Sequence, residues 1–147
     1  MAAPEQDESI EESPVGWVAA HVQRYVATDG AEGATYQGYD ALLVTTRGRR
    51  SGKLRRTALI YGRDGDRVVL VASNGGAAAH PYWYLNLVAD PEVEVQIGAE
   101  RFQGRARTAA AEERPRLWEL MTKVFPQYAR YQRDTDREIP VVVVERA

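Results

Sequence analysis

Six of the nineteen lysines and arginines in this 147-residue chain fall within ten positions: Arg47, Arg49, Arg50, Lys53, Arg55 and Arg56. Gly48 and Gly52 interrupt them, so the run reads as a turn between two strands. Arginine forks and turn amides suit phosphate and carboxylate oxygens. A charged hairpin tip can be no more than solvated, but this density on a chain of formal net charge −2 favours a local anion ligand. The run is not a phosphate-binding P-loop. Three residues separate Gly48 from Gly52 where four are needed, Leu54 replaces the Ser or Thr, and a strand follows instead of a helix. Nucleic acid is not expected as a partner, because one hairpin is a small footprint on an acidic chain.

Two further groups of residues could serve a ligand. Ser73-Asn74-Gly75-Gly76-Ala77 closes a strand in small residues that tolerate positive φ and let backbone N–H groups converge. The second group is aromatic: Tyr61, Tyr82, Trp83, Tyr84, Phe125, Tyr128 and Tyr131. Phe125, Tyr128 and Tyr131 are spaced by three, so a helical turn sets them on one face. Such rings usually fill a core, yet beside the break at Pro126 they can also wall a planar apolar substrate.

Self-contained catalytic clusters do not appear in the sequence. There is no Gly-x-Ser-x-Gly elbow, no Gly-x-Gly-x-x-Gly after a strand and no cysteine, and His21 and His80 lack ligand-pair spacing. A metal site is therefore not expected. An anion loop, a backbone-lined slot and aromatic walls together imply a bound organic cofactor that supplies the reactivity.

The elements that must position these groups follow the apolar pattern. Residues 1–12 are acidic and weakly apolar, an expected disordered tail, and residues 13–147 form one domain. Ser13-Pro14 caps a helix whose stripe is Val15, Val18, Val22 and Val26, ended by Thr28-Asp29-Gly30. That stripe, with Trp17, either docks on the core or rests on a membrane surface. Three strands span 41–73, separated by the basic turn and an Asp64-Gly65 hairpin turn, and the third is apolar on both faces. A short aromatic helix follows His80-Pro81 and stops before Asp90-Pro91, and then come two strands. A helix with Leu117, Leu120, Met121 and Val124 has Pro115 in its first turn and is broken by Pro126, and a second helical piece follows. Ile139-Pro140-Val141-Val142-Val143-Val144 is a buried closing strand. About six mainly antiparallel strands with flanking helices imply a mostly β fold, a small closed barrel. No apolar run reaches the roughly 18 residues of a spanning helix, and no signal peptide precedes the domain, so a cytoplasmic protein is expected, at most peripheral to the membrane.

Several stretches, in order, resemble the deazaflavin (F420)-dependent nitroreductase family. They are Leu42-Leu43-Val44-Thr45-Thr46-Arg47-Gly48-Arg49-Arg50-Ser51-Gly52, Ala72-Ser73-Asn74-Gly75-Gly76-Ala77, His80-Pro81-Tyr82-Trp83-Tyr84-Leu85-Asn86-Leu87 and Thr135-Asp136-Arg137-Glu138-Ile139-Pro140-Val141. The resemblance implies a split β-barrel of the flavin-reductase type. It also implies reduced coenzyme F420 as hydride donor to a quinone, a nitroaromatic or a similar activated acceptor. Carried over position by position, Arg49, Arg50, Ser51, Gly52 and Arg55 would hold the phosphate and part of the polyglutamate tail. Ser73, Asn74, Gly75, Gly76 and Ala77 would line the deazaflavin edge, with Trp83 and Asn86 on its ribityl side. Phe125, Tyr128 and Tyr131 would cover the acceptor with Tyr61, and Tyr128 or Tyr131 would donate a hydrogen bond to it. Phe125 stands where the family tends to carry tyrosine. A non-catalytic F420 or flavin carrier is the alternative, and the oligomeric state is left open.

Overall fold

The computed structural model describes residues 10–11, 16–36 and 38–147; for 10–11, 16–19 and 36 it describes the backbone alone. The Ser13-Pro14 cap, the side chain of Trp17 and most of the acidic tail thus lie outside the described residues. Within that tail, β1 (Ile10–Glu11) pairs in parallel with Leu54 and Arg55.

Helix α1 (Gly16–Ala27) precedes β2 (Thr35–Tyr36) and the long strand β3 (Tyr39–Arg47). The basic turn leads to β4 (Leu54–Ile60), and β5 (Gly62–Asp64) pairs with β6 (Arg67–Val71) around the Gly65 turn. After a 3₁₀ turn at Asn74–Gly76 come α2 (Tyr82–Ala89) and the hairpin of β7 (Glu92–Ile97) with β8 (Glu100–Thr108). Helices α3 (Arg114–Val124) and α4 (Gln127–Arg133) then lead to β9 (Val141–Arg146).

The sheet runs β1-β4-β3-β7-β8-β9-β6-β5, with β2 beside β3, and every pairing except that of β1 is antiparallel. A six-stranded closed barrel was expected. The described chain instead pairs nine strands, seven of them longer than two residues, and its ladder is open. The physical reason lies at Tyr61. The expected second strand breaks there, and its halves change partner: β4 pairs with β3, whereas β5 pairs with β6. Apart from the two-residue β1 beside β4, the ladder thus ends in β4 and β5, successive stretches of chain.

Alternation sorts the side chains into two main cores. Leu42, Val44, Val68, Leu70, Val93, Val95, Ala106, Val142 and Val144 point to one side and meet Leu87 of α2. Val69, Val71, Val141 and Val143 point to the other and meet Leu117 and Met121 of α3, with Phe125 and Tyr128 beyond it. The third expected strand, apolar on both faces, divides these two clusters, which is why its pattern does not alternate with polar residues. Helix α3 comes close to the sheet because Gly62 is bare: a Cβ there would lie 2.5 Å from Met121 Sδ. A smaller cluster docks α1 through Val22 and Tyr25 onto Leu43. The Tyr25 hydroxyl accepts from the Gly98 N–H (2.7 Å) and donates to the Ala41 carbonyl (3.2 Å), tying α1 to the sheet. No described helix is long and apolar enough to cross a membrane.

Candidate functional site

β3 and β4 carry the basic turn as a tight hairpin. Gly48 N–H donates to Lys53 O (2.7 Å) and Gly52 N–H to Gly48 O (2.8 Å), with Gly52 at φ +74°. Ser51 Oγ accepts from Lys53 N–H (3.1 Å), and the Arg47 guanidinium donates to Gly52 O. Arg49 and Arg50 stand exposed at the tip. The hairpin is fastened to α2 by Asn86, which is buried. Its Oδ1 accepts from Arg49 N–H (3.1 Å), and its Nδ2 donates to Thr46 Oγ1 (3.2 Å).

A cleft of about 740 Å³ begins beside this latch and follows β4 from Arg55 to Ile60. Thr46, Arg55, Arg56 and Asn86 line its polar end. Ser73, Asn74, Gly75, His80, Tyr82 and Trp83 line one flank, and Phe125, Tyr128 and Tyr131 line another. The Ser73–Gly76 turn has positive φ at Asn74 (49°), Gly75 (63°) and Gly76 (81°). Its own bonds use the Gly76 and Ala77 amides, and Asn74 and Gly75 face the cleft. Gly76 packs on α4: a Cβ would lie 3.1 Å from Tyr131 O, so the absent side chain lets the turn approach that helix.

The three rings expected on one helical face do cluster, but Phe125 is not helical. It ends α3 in an extended conformation, and Pro126 opens α4. Ring centroids lie 4.9 Å apart for Phe125–Tyr128 and 6.5 Å for Tyr128–Tyr131. The Tyr131 hydroxyl donates to Gln127 Oε1 (3.0 Å), whereas that of Tyr128 has no hydrogen-bond partner among the described residues. Burial, reinforced by Tyr131, pushes the Tyr128 pKa well above the usual phenol value, so this O–H keeps its proton.

Of the residues singled out in the sequence, Arg55, Ser73, Asn74, Gly75, Trp83, Asn86, Phe125, Tyr128 and Tyr131 share this cleft. Arg49, Arg50, Ser51 and Gly52 belong to the hairpin held at its polar end, and Gly76 and Ala77 lie behind its turn. Tyr61 is placed elsewhere. It packs against the cluster of Leu42, Val44 and Leu70 and lines a smaller hollow with Tyr39, Asp40 and Arg63, where the break between β4 and β5 places it. Sequence reasoning assigned no role to Arg56, Thr46, His80 or Arg137. The pattern Thr135-Asp136-Arg137 marked the last of these, but only folding shows what its guanidinium touches. Among the described residues no group of acidic, histidine or cysteine side chains could hold a metal ion.

A cation-flanked, backbone-lined and aromatic-walled slot fits a planar anionic cofactor better than a metal or a sugar. Known proteins agree with that chemistry. The family of F420H2-dependent quinone reductases matches residues 17–146. An F420H2-dependent quinone reductase of Mycobacterium tuberculosis is 38% identical over 130 residues, covering 86% of this chain and 87% of that protein. A solved structure described as an F420-H2 dependent reductase is 42% identical with a TM-score of 0.67, covering 71% of this chain and 93% of the other. Another, described as a domain-swapped dimer, is 39% identical with a TM-score of 0.70, covering 90% of this chain and all of that one. With a match that spans nearly the whole chain and a slot suited to such a cofactor, this chain belongs to the F420H2-dependent quinone reductase family.

Proposed function

We propose that this protein is an oxidoreductase that reduces quinones at the expense of reduced coenzyme F420. The observation that carries the proposal is the polarity of one cleft: Arg55 and Arg56 at one end, Phe125, Tyr128 and Tyr131 at the other. F420 combines a phosphodiester and several carboxylates with a planar ring, so the residues present fit both parts. Arg55, with Arg49 and Arg50 of the adjoining hairpin, would hold the anionic portion, and Ser51 and Gly52 would add hydroxyl and amide donors. Ser73, Asn74 and Gly75 would meet the ring edge, backed by Gly76 and Ala77, with Trp83 beside it. When bound, reduced F420 supplies a hydride.

The chain's own residues then have three tasks. The turn and Trp83 hold the donor ring in register, and positioning of this kind contributes on the order of 7–11 kcal/mol to a two-reactant step. The aromatic wall excludes water from the acceptor. Tyr128, whose hydroxyl has no hydrogen-bond partner among the described residues, donates to the oxygen that gains negative charge as a quinone accepts hydride. Because that hydroxyl holds its proton, the proton completing the quinol comes from solvent. Nitroaromatics, whose oxygens develop similar charge, are a second acceptor class for the same site. The sheet, in which β4 and β5 are successive stretches joined at Tyr61 yet pair at opposite sides of the ladder, is best described as a split barrel.

Mixing the protein with reduced F420 and menadione, and then with NADPH or reduced FMN in place of F420, tests the proposal. Turnover is expected with F420 alone. Equal rates with NADPH would reject the cofactor assignment, and tight F420 binding without turnover of any quinone or nitro compound would favour a carrier.

A further inference from the structure

One guanidinium, in the segment between α4 and β9, organises the flank of the cleft. Arg137 Nη2 donates to Ser73 O (2.6 Å), Nη1 to Ala72 O (3.2 Å) and Nε to Ala77 O (2.9 Å). The three carbonyls belong to the stretch 72–77, whose Ser73, Asn74 and Gly75 line the cleft. Nη1 also lies 2.9 Å from Nδ1 of His80, itself a cleft residue. Arg137 is fixed in turn by Gln132, which donates to Arg137 O (2.8 Å) and accepts from Ile139 N–H (2.9 Å).

A guanidinium has only donors, so the nitrogen it meets must offer a lone pair. The imidazole of His80 is therefore neutral, and its single proton resides on Nε2. Burial first, and then the charge of Arg137, lower the His80 pKa, in keeping with the geometry. Arg137 and Tyr84, whose ring centroid is 5.0 Å from the imidazole, are the titratable groups against it among the described residues. Nε2 makes no hydrogen bond among those residues.

We propose that Arg137 is a positioning residue that fixes the Ala72–Ala77 turn and sets His80 as a neutral Nε2–H donor to a carbonyl oxygen of the planar ring bound in the cleft. Two features favour this over a purely structural clamp. A clamp would need the three backbone carbonyls but not the imidazole, and a merely packed imidazole would not need a side chain that dictates its tautomer. The inference rests on the cleft accepting a deazaflavin, and it adds a donor that a hairpin-and-tyrosine account lacks.

The chain contains two histidines, so the tautomer can be read directly in the untagged protein by ¹⁵N–¹H correlation of the imidazoles, with His80→Gln identifying the signals. The wild type is expected to show His80 as the Nε2–H form at neutral pH. Arg137→Gln is expected to release it to a tautomer mixture and raise its midpoint of protonation. F420 affinity, followed by quenching of tryptophan fluorescence, gives the second readout. His80→Phe should weaken binding about tenfold, as expected for one neutral hydrogen bond lost. His80→Gln, whose amide nitrogen takes the place of Nε2, should restore it to within about twofold. A proton on Nδ1 in the wild type, or a His80→Phe protein that binds F420 as tightly as wild type, would overturn the inference. Should Arg137→Gln fail to fold, the wild-type tautomer and the Phe/Gln pair still decide it. Wild-type protein that does not bind F420 would instead overturn the functional reading itself, so the two failures are told apart.

Discussion

At the scale of single residues, two tyrosines that looked equivalent in the sequence differ in what their hydroxyls can do. Tyr131 donates a hydrogen bond to Gln127, while the Tyr128 hydroxyl has no hydrogen-bond partner among the described residues and the residue lines the cleft. Tyr128→Phe is therefore expected to lower kcat with menadione on the order of 10²-fold, with F420 affinity nearly unchanged. Tyr131→Phe should cost far less. Steady-state kinetics of the two variants decide the point, and a larger loss for Tyr131→Phe would move the donor role there. Arg49 and Arg50 present the opposite case, since their side chains are exposed and make no ion pair among the described residues. The double change Arg49→Gln/Arg50→Gln should weaken F420 binding about tenfold at low salt, with the gap narrowing as salt screens the wild type. A salt-independent gap measured by titration would argue for a packing role.

At the scale of elements, α3 is held to the β5–β6 hairpin by charge as well as by Leu117 and Met121. Asp64 accepts from Arg116 (2.9 and 3.1 Å) and from Arg67, which holds its pKa down at about 2. Glu113 accepts from Arg107 and from Ala110 N–H (2.7 Å), and its pKa is likewise about 2. Both values lie below those of the unfolded chain, so the stability they contribute is present above about pH 4.5 and is lost as pH falls toward 2. Urea midpoints measured at pH 7, 4 and 2.5 should fall across that window. Asp64→Asn should be less stable than wild type at pH 7 and lose less on acidification. A variant with the wild-type pH slope would remove Asp64 from this account. The other latch, Asn86, serves the site: one buried amide keeps the basic hairpin beside α2, where its cations can reach an anion in the cleft.

At the scale of the whole molecule, β6 and β9 belong to both cores, each sending alternate side chains to opposite sides. Because the two clusters share these strands, thermal unfolding should follow one cooperative transition, and Leu70→Ala should lower stability by about 2–5 kcal/mol without splitting it. Two separated transitions in calorimetry would show that the cores fold independently. Local chemistry was enough to read several features from the sequence. Gly48 and Gly52 required a turn, so the cations had to sit on a hairpin. Asn74-Gly75-Gly76 required positive φ, and Pro126 required a break after α3. The unbroken apolar run Val68–Val71 required burial on both faces. Each of these depends on residues a few positions apart, where sterics and hydrogen-bond geometry act without knowledge of the rest of the chain. What Tyr61 faces, which tyrosine keeps a hydroxyl available, and how Arg137 meets His80 across 57 positions depend instead on long-range packing. A side chain's orientation and partner are decided by the strands and helices that happen to surround it, and only the folded chain brings those together.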